Sequence, residues 1–292
     1  MQTRFSLPLS QMGIVSFHPL IKGKVNSSVA GKSVLTSRQL RLIKNADAVI
    51  LPEICPKFLY YAVQEFQKPC FPDQRIRYEC QDKLSQIRFF EVNRIPHPKT
   101  LIFPDLHSLM ESTGKNSWEL GFPFVIKLPW SHEGDGIFVI EDKDAFTIQL
   151  PQIQKKISKD EAVIAQKFVP TKGYVLRVVV FYDKLVPYWK VGKGPIISIS
   201  KGAKVMRDLF PELKEKGMDS VKEVKSKIRV DLAALDMIFD MERPTLPLWL
   251  ELNFSFGRRG LGGRRGFYDL LLRAVKTWLQ DLALDPQVTL LA

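Results

Sequence analysis

The sequence predicts a protein of mixed α and β structure, in which a small α/β unit precedes a larger α+β region. Residues 13–17, 46–52 and 57–66 alternate apolar strand-like runs with a helical pattern, as small α/β units do. From residue 101 onward, short runs rich in valine and isoleucine follow one another closely, which favours antiparallel sheet. The chain has 292 residues, so it is long enough for two or three lobes.

The larger region is predicted to begin after a boundary at residues 73–75, where polar residues follow a proline. A helix at 82–92 is expected to end before Pro96, because proline is not accommodated inside helices. Residues 131–136 are the flexible tip of a predicted hairpin, and the strands at 162–169 and 174–182 are expected to build one antiparallel sheet. The further strands expected are 101–103, 124–128 and 137–140, and the further helices are 211–234 and 269–284.

Composition excludes several classes of protein. No apolar run reaches the roughly 18 to 20 residues that cross a bilayer, and the first 17 residues do not resemble a signal peptide, so we expect a cytoplasmic protein with no membrane partner. The three cysteines lack metal-binding spacing and are expected to be reduced. The formal charge of +12 favours phosphate-bearing or acidic ligands. Nucleic acid is a weaker candidate, because no nucleic-acid-binding motif accompanies the basic residues.

Three oxygen-bearing side chains in strand-like runs predict a magnesium site. Glu251 and Asn253 are two residues apart, so both point to the same face of a strand, and Asp236 can supply a third oxygen ligand. Magnesium is typically held by one or two carboxylates together with substrate phosphates. The alternative is ordinary strand decoration, since alternate residues of a half-exposed strand are usually polar.

Lys127 ends an apolar strand directly before a glycine-containing loop, where its ammonium can reach a phosphate in a cleft. The alternative is a surface lysine whose stem alone is buried. Gly134 and Gly136 in the loop indicate mobility more than direct phosphate binding, because Asp135 lies between them.

Residues 166–169 and Arg177 are also candidates for lining a cleft. The run Gln166, Lys167, Phe168 and Val169 leaves a strand and can offer backbone groups to an adenine edge, although any strand exit has the same pattern. Arg177 stands among β-branched apolar residues, so it must pair with an acid or point into a polar cleft.

Residues 257–266 combine glycines with four arginines directly after the predicted metal strand. Glycine permits close backbone approach, and arginine binds carboxylate or phosphate through two hydrogen bonds. The sequence therefore predicts a substrate-binding loop, with a solvated run of charges as the alternative.

In their order along the chain, these pieces resemble the ATP-grasp superfamily, and most closely its RimK-like branch, the ligases that add glutamate to ribosomal protein or to cofactors. The resemblance covers about residues 78–265. The motifs that support it are Asp82-Lys83 at a helix start, Ile95-Pro96-His97-Pro98-Lys99-Thr100, Val125-Ile126-Lys127, Gln166-Lys167-Phe168-Val169, Arg177, Asp236 and Glu251-Leu252-Asn253.

The resemblance implies an α+β ATP-grasp fold, with two α+β lobes clasping ATP after a small α/β domain. The implied domains are 1–78, 79–160 for the central lobe and 161–292 for the C-terminal lobe. The implied reaction is an ATP-dependent carboxylate–amine ligation through an acyl phosphate, with magnesium, or manganese instead, and with small-molecule or peptide substrates that are anionic. The implied roles are nucleotide binding for Lys83, Lys127, Gly134, Gly136, Gln166, Lys167, Phe168 and Val169, catalysis for Arg177 and Lys190, and metal binding for Asp236, Glu251 and Asn253.

The sequence departs from the family pattern at several positions. Lys167 stands where an acidic residue is usual, Val175 where an aspartate is usual, and Lys190 where an arginine is common. The segment between Asp236 and Glu251 is also longer than in the family, which leaves Asp240 as a substitute metal ligand. Two other hypotheses therefore stand beside the ligase: a non-catalytic ATP-binding protein of the same fold, and a basic nucleic-acid-binding module whose binding would weaken with salt.

Overall fold

The structure is a computed structural model that describes residues 13–115, 117–130, 135–158, 160–194, 197–199 and 201–291. No helix in these ranges is both long and apolar enough to cross a membrane. The strands are β1 (Ile14–Ser16), β2 (Ile21–Lys22), β3 (Val25–Asn26), β4 (Ala48–Ile50), β5 (Cys70–Phe71), β6 (Thr100–Phe103), β7 (Phe124–Lys127), β8 (Ile137–Ile140), β9 (Val163–Lys167), β10 (Tyr174–Phe181), β11 (Lys184–Val191), β12 (Lys204–Met206), β13 (Leu232–Ile238), β14 (Leu248–Asn253) and β15 (Thr289–Leu290). The helices are α1 (Ser37–Lys44), α2 (Lys57–Glu65), α3 (Arg75–Glu79), α4 (Lys83–Val92), α5 (Leu106–Gly114), α6 (Lys143–Gln154), α7 (Pro211–Lys227) and α8 (Gly263–Asp281), and a short 3₁₀ helix spans Arg259–Leu261.

The N-terminal unit is a parallel sheet of order β3-β1-β4-β5, as expected of the predicted α/β unit. Helices α1 and α2 pack on it through Ile43 and Leu59, which bury Val15 and Val49. Because β1 lies between β3 and β4, the chain first adds β3 on one side of β1 and later adds β4 on its other side, so the strand order reverses at β1. Ligands of open α/β sheets bind at the carboxyl ends of strands beside such a reversal.

The central sheet has the order β6-β9-β7-β8, and each neighbouring pair in it is antiparallel. The predicted hairpin of residues 124–140 is present as β7 and β8, and its tip at 131–134 lies outside the described residues. Helices α5 and α6 contribute Leu109 and Ile153 to a core that includes Phe124 and Ile126. This sheet places Lys127 at the end of β7.

The C-terminal sheet has the order β12-β11-β10-β13-β14 and is antiparallel throughout. One face carries Leu176, Trp189 and Met237 and packs on α4 and α7. The other face buries Val179 and Phe181 under α8 together with the N-terminal sheet. Residues of this second face nearer the start of β10 are left to form the floor of a cleft.

The prediction that residues 162–169 and 174–182 build one sheet is wrong. Strand β9 pairs with β6 and β7, whereas β10 pairs with β11 and β13. Pro170 lies between the two strands and has no N–H for a ladder, so the chain leaves one sheet there and enters the other.

Two helix predictions also differ from the structure. Helix α7 ends at Lys227, and the continuous apolar run that follows forms the buried strand β13, because such a run suits a strand buried on both faces. Helix α8 begins at Gly263 and not at residue 269. Gly262 and Gly263 have φ angles of +82° and +74°, which turn the chain into the helix inside the segment predicted to be a loop.

The predicted domain division at 78–79 and 160–161 stays a prediction, and the packing suggests shifted boundaries. Gln86 of α4 exchanges hydrogen bonds with the backbone of Leu252 in β14, and the N–H of Trp249 donates to the carbonyl of Pro96. Residues 83–96 thus lie against the C-terminal sheet, and β9 belongs to the central sheet. We infer that the central lobe extends from about Pro98 to Lys167.

Candidate active site

A cleft of about 740 Å³ lies between the central and C-terminal sheets. Most residues predicted for the site line it. Gly136 does not line the cleft, and its carbonyl accepts a hydrogen bond from the N–H of Leu128. Gly134 lies outside the described residues. The predicted residues that line the cleft are Lys83, Lys127, Gln166, Lys167, Phe168, Val169, Arg177, Lys190, Asp236, Glu251 and Asn253.

Lys83 reaches the cleft from the first turn of α4. The helix begins there because Asp82 accepts a hydrogen bond from the N–H of Ser85 at 2.7 Å in a capping box. Gln86, three residues after Lys83 and on the same side of the helix, holds the backbone of Leu252 beside Glu251. Burial lowers the pKa of Lys83, and the negative charge of Glu251 opposes that shift.

Lys127 enters the cleft from the end of β7. Burial lowers its pKa to about 8, Glu251 opposes the shift, and Lys83 adds to it. Glu251 therefore attracts two lysines that come from different parts of the chain. An ammonium with a lowered pKa gains from an anionic ligand, and a phosphate group can provide that negative charge.

Asp236 is the centre of a buried network of charges on the cleft floor. Its carboxylate accepts two hydrogen bonds from Arg177, Nε to Oδ1 and Nη2 to Oδ2, both at 2.7 Å. The ammonium of Lys190 donates to Oδ2 at 2.8 Å. Burial would raise the pKa of Asp236, but Lys190 and Arg177 outweigh it and lower the pKa to about 2. With two cations on one carboxylate, the network keeps a net positive charge.

The oxygen ligands fit magnesium in part. Asp236 lies directly opposite Glu251 in the ladder, and Asn253 follows on the same face of β14, as the sequence predicts. Both oxygens of Asp236 are already acceptors for Arg177 and Lys190. Glu251 and Asn253 thus suit a magnesium ion that takes its other ligands from phosphates and water.

Asp240 is not brought to this site. Its carboxylate accepts hydrogen bonds from the backbone N–H groups of Glu242 and Arg243 in the turn after β13. It caps that turn and does not line the cleft.

The predicted adenine-binding segment forms the edge of the cleft. The N–H of Lys167 donates to the carbonyl of Lys99, and the amide of Gln166 donates to the hydroxyl of Thr100 at 2.8 Å. Lys99 and Thr100 belong to the proline-framed segment of residues 95–100. These bonds tie the segment to the start of β6.

The arginine-rich segment divides into two parts. Arg258 and Arg259 line the cleft, whereas Arg264 and Arg265 are exposed on α8 away from it. The guanidinium of Arg258 lies over the rings of Phe267 and Tyr268, at 4.4 and 4.7 Å from the ring centroids.

Sequence reasoning missed three side chains beside this segment, which are Glu53, Tyr268 and Tyr188. Arg258 Nη2 donates to Glu53 Oε2 at 3.0 Å and to the hydroxyl of Tyr268 at 3.2 Å. Tyr188 supports the segment from below, since Gly260 lies directly against its ring. The available signal for Glu53 was its position after the buried strand β4, at the carboxyl edge of the parallel sheet.

The sequence matches the RimK-like ATP-grasp domain family over residues 80–264, more than half of the chain. The chain belongs to this family. The predictions of the superfamily and of an ATP-grasp ligase are thereby confirmed at the level of the family. No curated protein matches the sequence.

Solved structures share the fold of this RimK-like ATP-grasp protein. The D-alanine–D-alanine ligase of Bacillus anthracis has a TM-score of 0.60 at 15% identity, over 94% of this chain and 99% of that one. A RimK domain ATP-grasp protein of Sphaerobacter thermophilus has a TM-score of 0.58 at 15% identity, over 86% and 88%. The carboxyaminoimidazole ribonucleotide synthase of Aspergillus clavatus, complexed with ATP, has 0.53 at 15% identity, over 85% and 71%. At these identities the likeness shows the fold alone, and it confirms the predicted ATP-grasp fold.

Proposed function

We propose that this RimK-like ATP-grasp protein is an ATP-dependent carboxylate–amine ligase that forms an acyl phosphate. The observation that supports it best is the arrangement of two sets of charges in one cleft. Lys83, Lys127 and Glu251 are suited to a nucleotide's phosphates and their metal, and the network of Arg177, Lys190 and Asp236 is suited to the reacting group.

On the nucleotide side, Lys83 and Lys127 would bind phosphate oxygens, and residues 166–169 would border the adenine. Glu251 and Asn253 would hold magnesium, with Asp236 retained as a predicted third ligand. Magnesium, when bound, neutralises charge on the phosphate oxygens. The two lysines would orient the triphosphate so that the γ-phosphorus faces the attacking carboxylate oxygen.

On the acid side, a carboxylate oxygen of the substrate attacks the γ-phosphorus of ATP, the bond to the bridging oxygen breaks, and ADP leaves. The nitrogen of an amine then attacks the acyl carbon, phosphate leaves, and the nitrogen gives up a proton. Negative charge accumulates on the phosphoryl oxygens during both steps. Arg177 and Lys190 are fixed by Asp236 and stabilise that charge without having to reorganise.

The balance of charge in the cleft supports an anionic substrate in addition to the nucleotide. The described lining contains two acidic side chains, Asp236 and Glu251. It contains seven basic ones: Lys83, Lys127, Lys167, Arg177, Lys190, Arg258 and Arg259. The surplus exceeds the charge of a magnesium-bound nucleotide, which leaves positive charge in the cleft for a second anion.

The test uses hydroxylamine as a surrogate amine, which traps an acyl phosphate as a coloured hydroxamate. A collection of mono-, di- and tricarboxylic acids is incubated with the protein, MgATP and hydroxylamine. We expect acid-dependent hydroxamate and ADP, with Glu251→Gln reducing both by about a hundredfold or more. Glu242→Gln, at an exposed turn, is the matched control.

Two outcomes would contradict the proposal. Unchanged turnover in Glu251→Gln would remove the metal side of the site from the reaction. Stabilisation of the protein by MgATP without hydroxamate from any acid would favour the non-catalytic ATP-binding alternative.

A further inference from the structure

The carboxylate of Glu53 lies between two donors that come from different parts of the chain. It follows β4 at the carboxyl edge of the N-terminal sheet, and Arg258 approaches it from the rim of the cleft. Its Oε2 accepts from Arg258 Nη2 at 3.0 Å, and its Oε1 lies 3.7 Å from Nε2 of His18. Burial would raise the pKa of Glu53, but His18, the charge of Arg258 and the hydroxyl of Tyr268 together outweigh it and lower the pKa. Glu53 is thus an anion.

His18 is a buried hydrogen-bond donor that has no acceptor in this arrangement. Its side chain is almost wholly inaccessible, and its Nδ1 accepts hydrogen bonds from the N–H groups of Leu20 and Ile21 at 3.1 and 3.0 Å. Nδ1 therefore carries no proton, and the proton of the neutral ring is on Nε2. Among the residues that the structure describes, Nε2 has no hydrogen-bond partner. A buried donor without an acceptor is costly, so Glu53 is drawn towards His18 as well as towards Arg258.

Arg258 cannot bind a ligand through two hydrogen bonds while Glu53 and Tyr268 both hold its Nη2 group. A guanidinium grips an anion through one of two edges, Nε with Nη2 or Nη1 with Nη2, and both edges include Nη2. Nη2 gives its hydrogens to Glu53 and Tyr268. Among the residues that the structure describes, Glu53 and Tyr268 are the hydrogen-bond acceptors of Arg258. Its side chain is nevertheless 31% exposed and lines the cleft.

We propose that Glu53 is an internal substitute for a substrate anion on Arg258, and that an anionic group of the acid substrate displaces Glu53 towards His18. The inference rests on the proposed ligase function. It assigns the substrate to the class of acids that carry a second carboxylate or a phosphate besides the carboxylate that reacts. Arg258 binds that second group, and Glu53 selects against acids without one, because they cannot displace it.

Calorimetric titration of the protein saturated with MgADP tests this directly. The ligands are succinate, glutarate and adipate, with 4-phosphonobutyrate to distinguish a phosphate-like from a carboxylate group, and with butyrate as the single-carboxylate control. The variants are Glu53→Gln, which keeps the shape and removes the charge, and Arg258→Gln. Thermal unfolding establishes that each variant is folded.

The expected sign separates displacement from a structural or direct binding role. Glu53→Gln should bind the best dianionic ligand about tenfold more tightly than the unmodified protein, because a competing charge-assisted hydrogen bond is gone. Arg258→Gln should weaken it about tenfold or more, and butyrate should respond to neither change. Weaker or unchanged dianion binding in Glu53→Gln overturns the proposal. The proposal also fails if neither the unmodified protein nor Glu53→Gln binds any of the dianions.

His18→Asn provides a second measurement. The asparagine oxygen can replace Nδ1 as the acceptor for Leu20 and Ile21, but no donor remains at the position of Nε2. We expect weaker dianion binding in His18→Asn alone and no further effect in the Glu53→Gln background. Equal effects in both backgrounds contradict the displacement. Failure of MgADP to bind would contradict the proposed function instead, and the same titrations without nucleotide would still test Arg258 and Glu53.

Discussion

At the scale of single residues, the ionisation of Lys127 should control binding at the proposed nucleotide side of the cleft. Burial lowers the pKa of this lysine to about 8, against the attraction of Glu251. Phosphate binding requires the ammonium form and favours it. We therefore expect the affinity for MgADP to be level up to about pH 8 and to decline above it, by at most tenfold per pH unit from this group.

Calorimetry between pH 6.5 and 9.5 measures this decline. Lys127→Arg should retain binding with little pH dependence, because arginine stays charged throughout. Lys143→Ala, which removes an exposed lysine on α6, should show the same pH dependence as the unmodified protein.

The stability of the protein without ligand should depend on pH in the opposite direction. A folded pKa below the unfolded value disfavours the folded state below about pH 8, and that penalty disappears as pH rises towards 10.5.

Gly260 fixes the height of the arginine-bearing segment above the sheet. A Cβ added at this position would lie 2.2 Å from Cζ of Tyr188, whereas one at Gly257 would meet nothing within 4 Å. We expect Gly260→Ala to lower the free energy of unfolding by about 1–3 kcal/mol and Gly257→Ala to change it little. Urea unfolding measures both, and equal effects of the two substitutions would show that the contact with Tyr188 is unimportant.

Local patterns were sufficient to predict some site residues and not others. Glu251 and Asn253 were predicted because a strand places alternate residues on one face, which is a property of neighbouring residues. Glu53 was missed because its partner Arg258 is 205 residues away, and no local pattern brings the two together. The saturation of Asp236 by Arg177 and Lys190 likewise depends on the register of three strands.

At the scale of elements, the start of α4 controls the position of Lys83. Asp82 caps the helix through the N–H of Ser85, and Asp105 caps α5 in the same way through the N–H of Ser108, away from the cleft. Asp82→Ala and Asp105→Ala should each lose about 1 kcal/mol of stability. Asp82→Ala alone should also weaken MgADP binding, because of these two helices it is α4 that brings a lysine to the cleft. Equal MgADP affinity in the two variants would contradict the role assigned to α4.

The type of most elements followed from periodicity, but their ends and partners did not. The helix predicted at 211–234 includes the start of a strand, since the periodicity of α7 gives way to an apolar run without a glycine or proline between them. The separation of β9 and β10 into two sheets depends on pairing with β7 and β13, which lie far away in sequence.

At the scale of the whole molecule, the N-terminal unit is joined to the C-terminal lobe by contacts that the sequence did not indicate. The last strand, β15, pairs with β2 of the first unit. A shared core sets Ile50 and Phe71 against Trp278 of α8. The displacement proposed for Glu53 requires this union, because His18 and Glu53 belong to one part and Arg258 to the other.

Asp231 makes polar contacts that hold the two parts together. Its buried carboxylate accepts the N–H of Asp73 at 2.8 Å and hydrogen bonds from Arg229, whose Nη2 also donates to the carbonyl of Cys70. Asp231→Ala leaves that N–H without its acceptor, and it leaves the guanidinium of Arg229 with the carbonyl of Cys70 but without the carboxylate of Asp231. We expect a loss of about 2–3 kcal/mol, less than for a fully buried pair because Arg229 is 40% exposed.

Hydrogen exchange followed by mass spectrometry locates that loss. In Asp231→Ala, amides of β4, β5 and β15 should exchange faster, because the union of the two parts opens more often, while those of β7 and β9 in the central sheet should keep their rates. Asp285→Ala, an exposed carboxylate near the C-terminus, controls for the removal of charge. Uniformly faster exchange across all sheets would mean that the sheets open as one cooperative unit, and would contradict the assignment of Asp231 to the contact between the two parts.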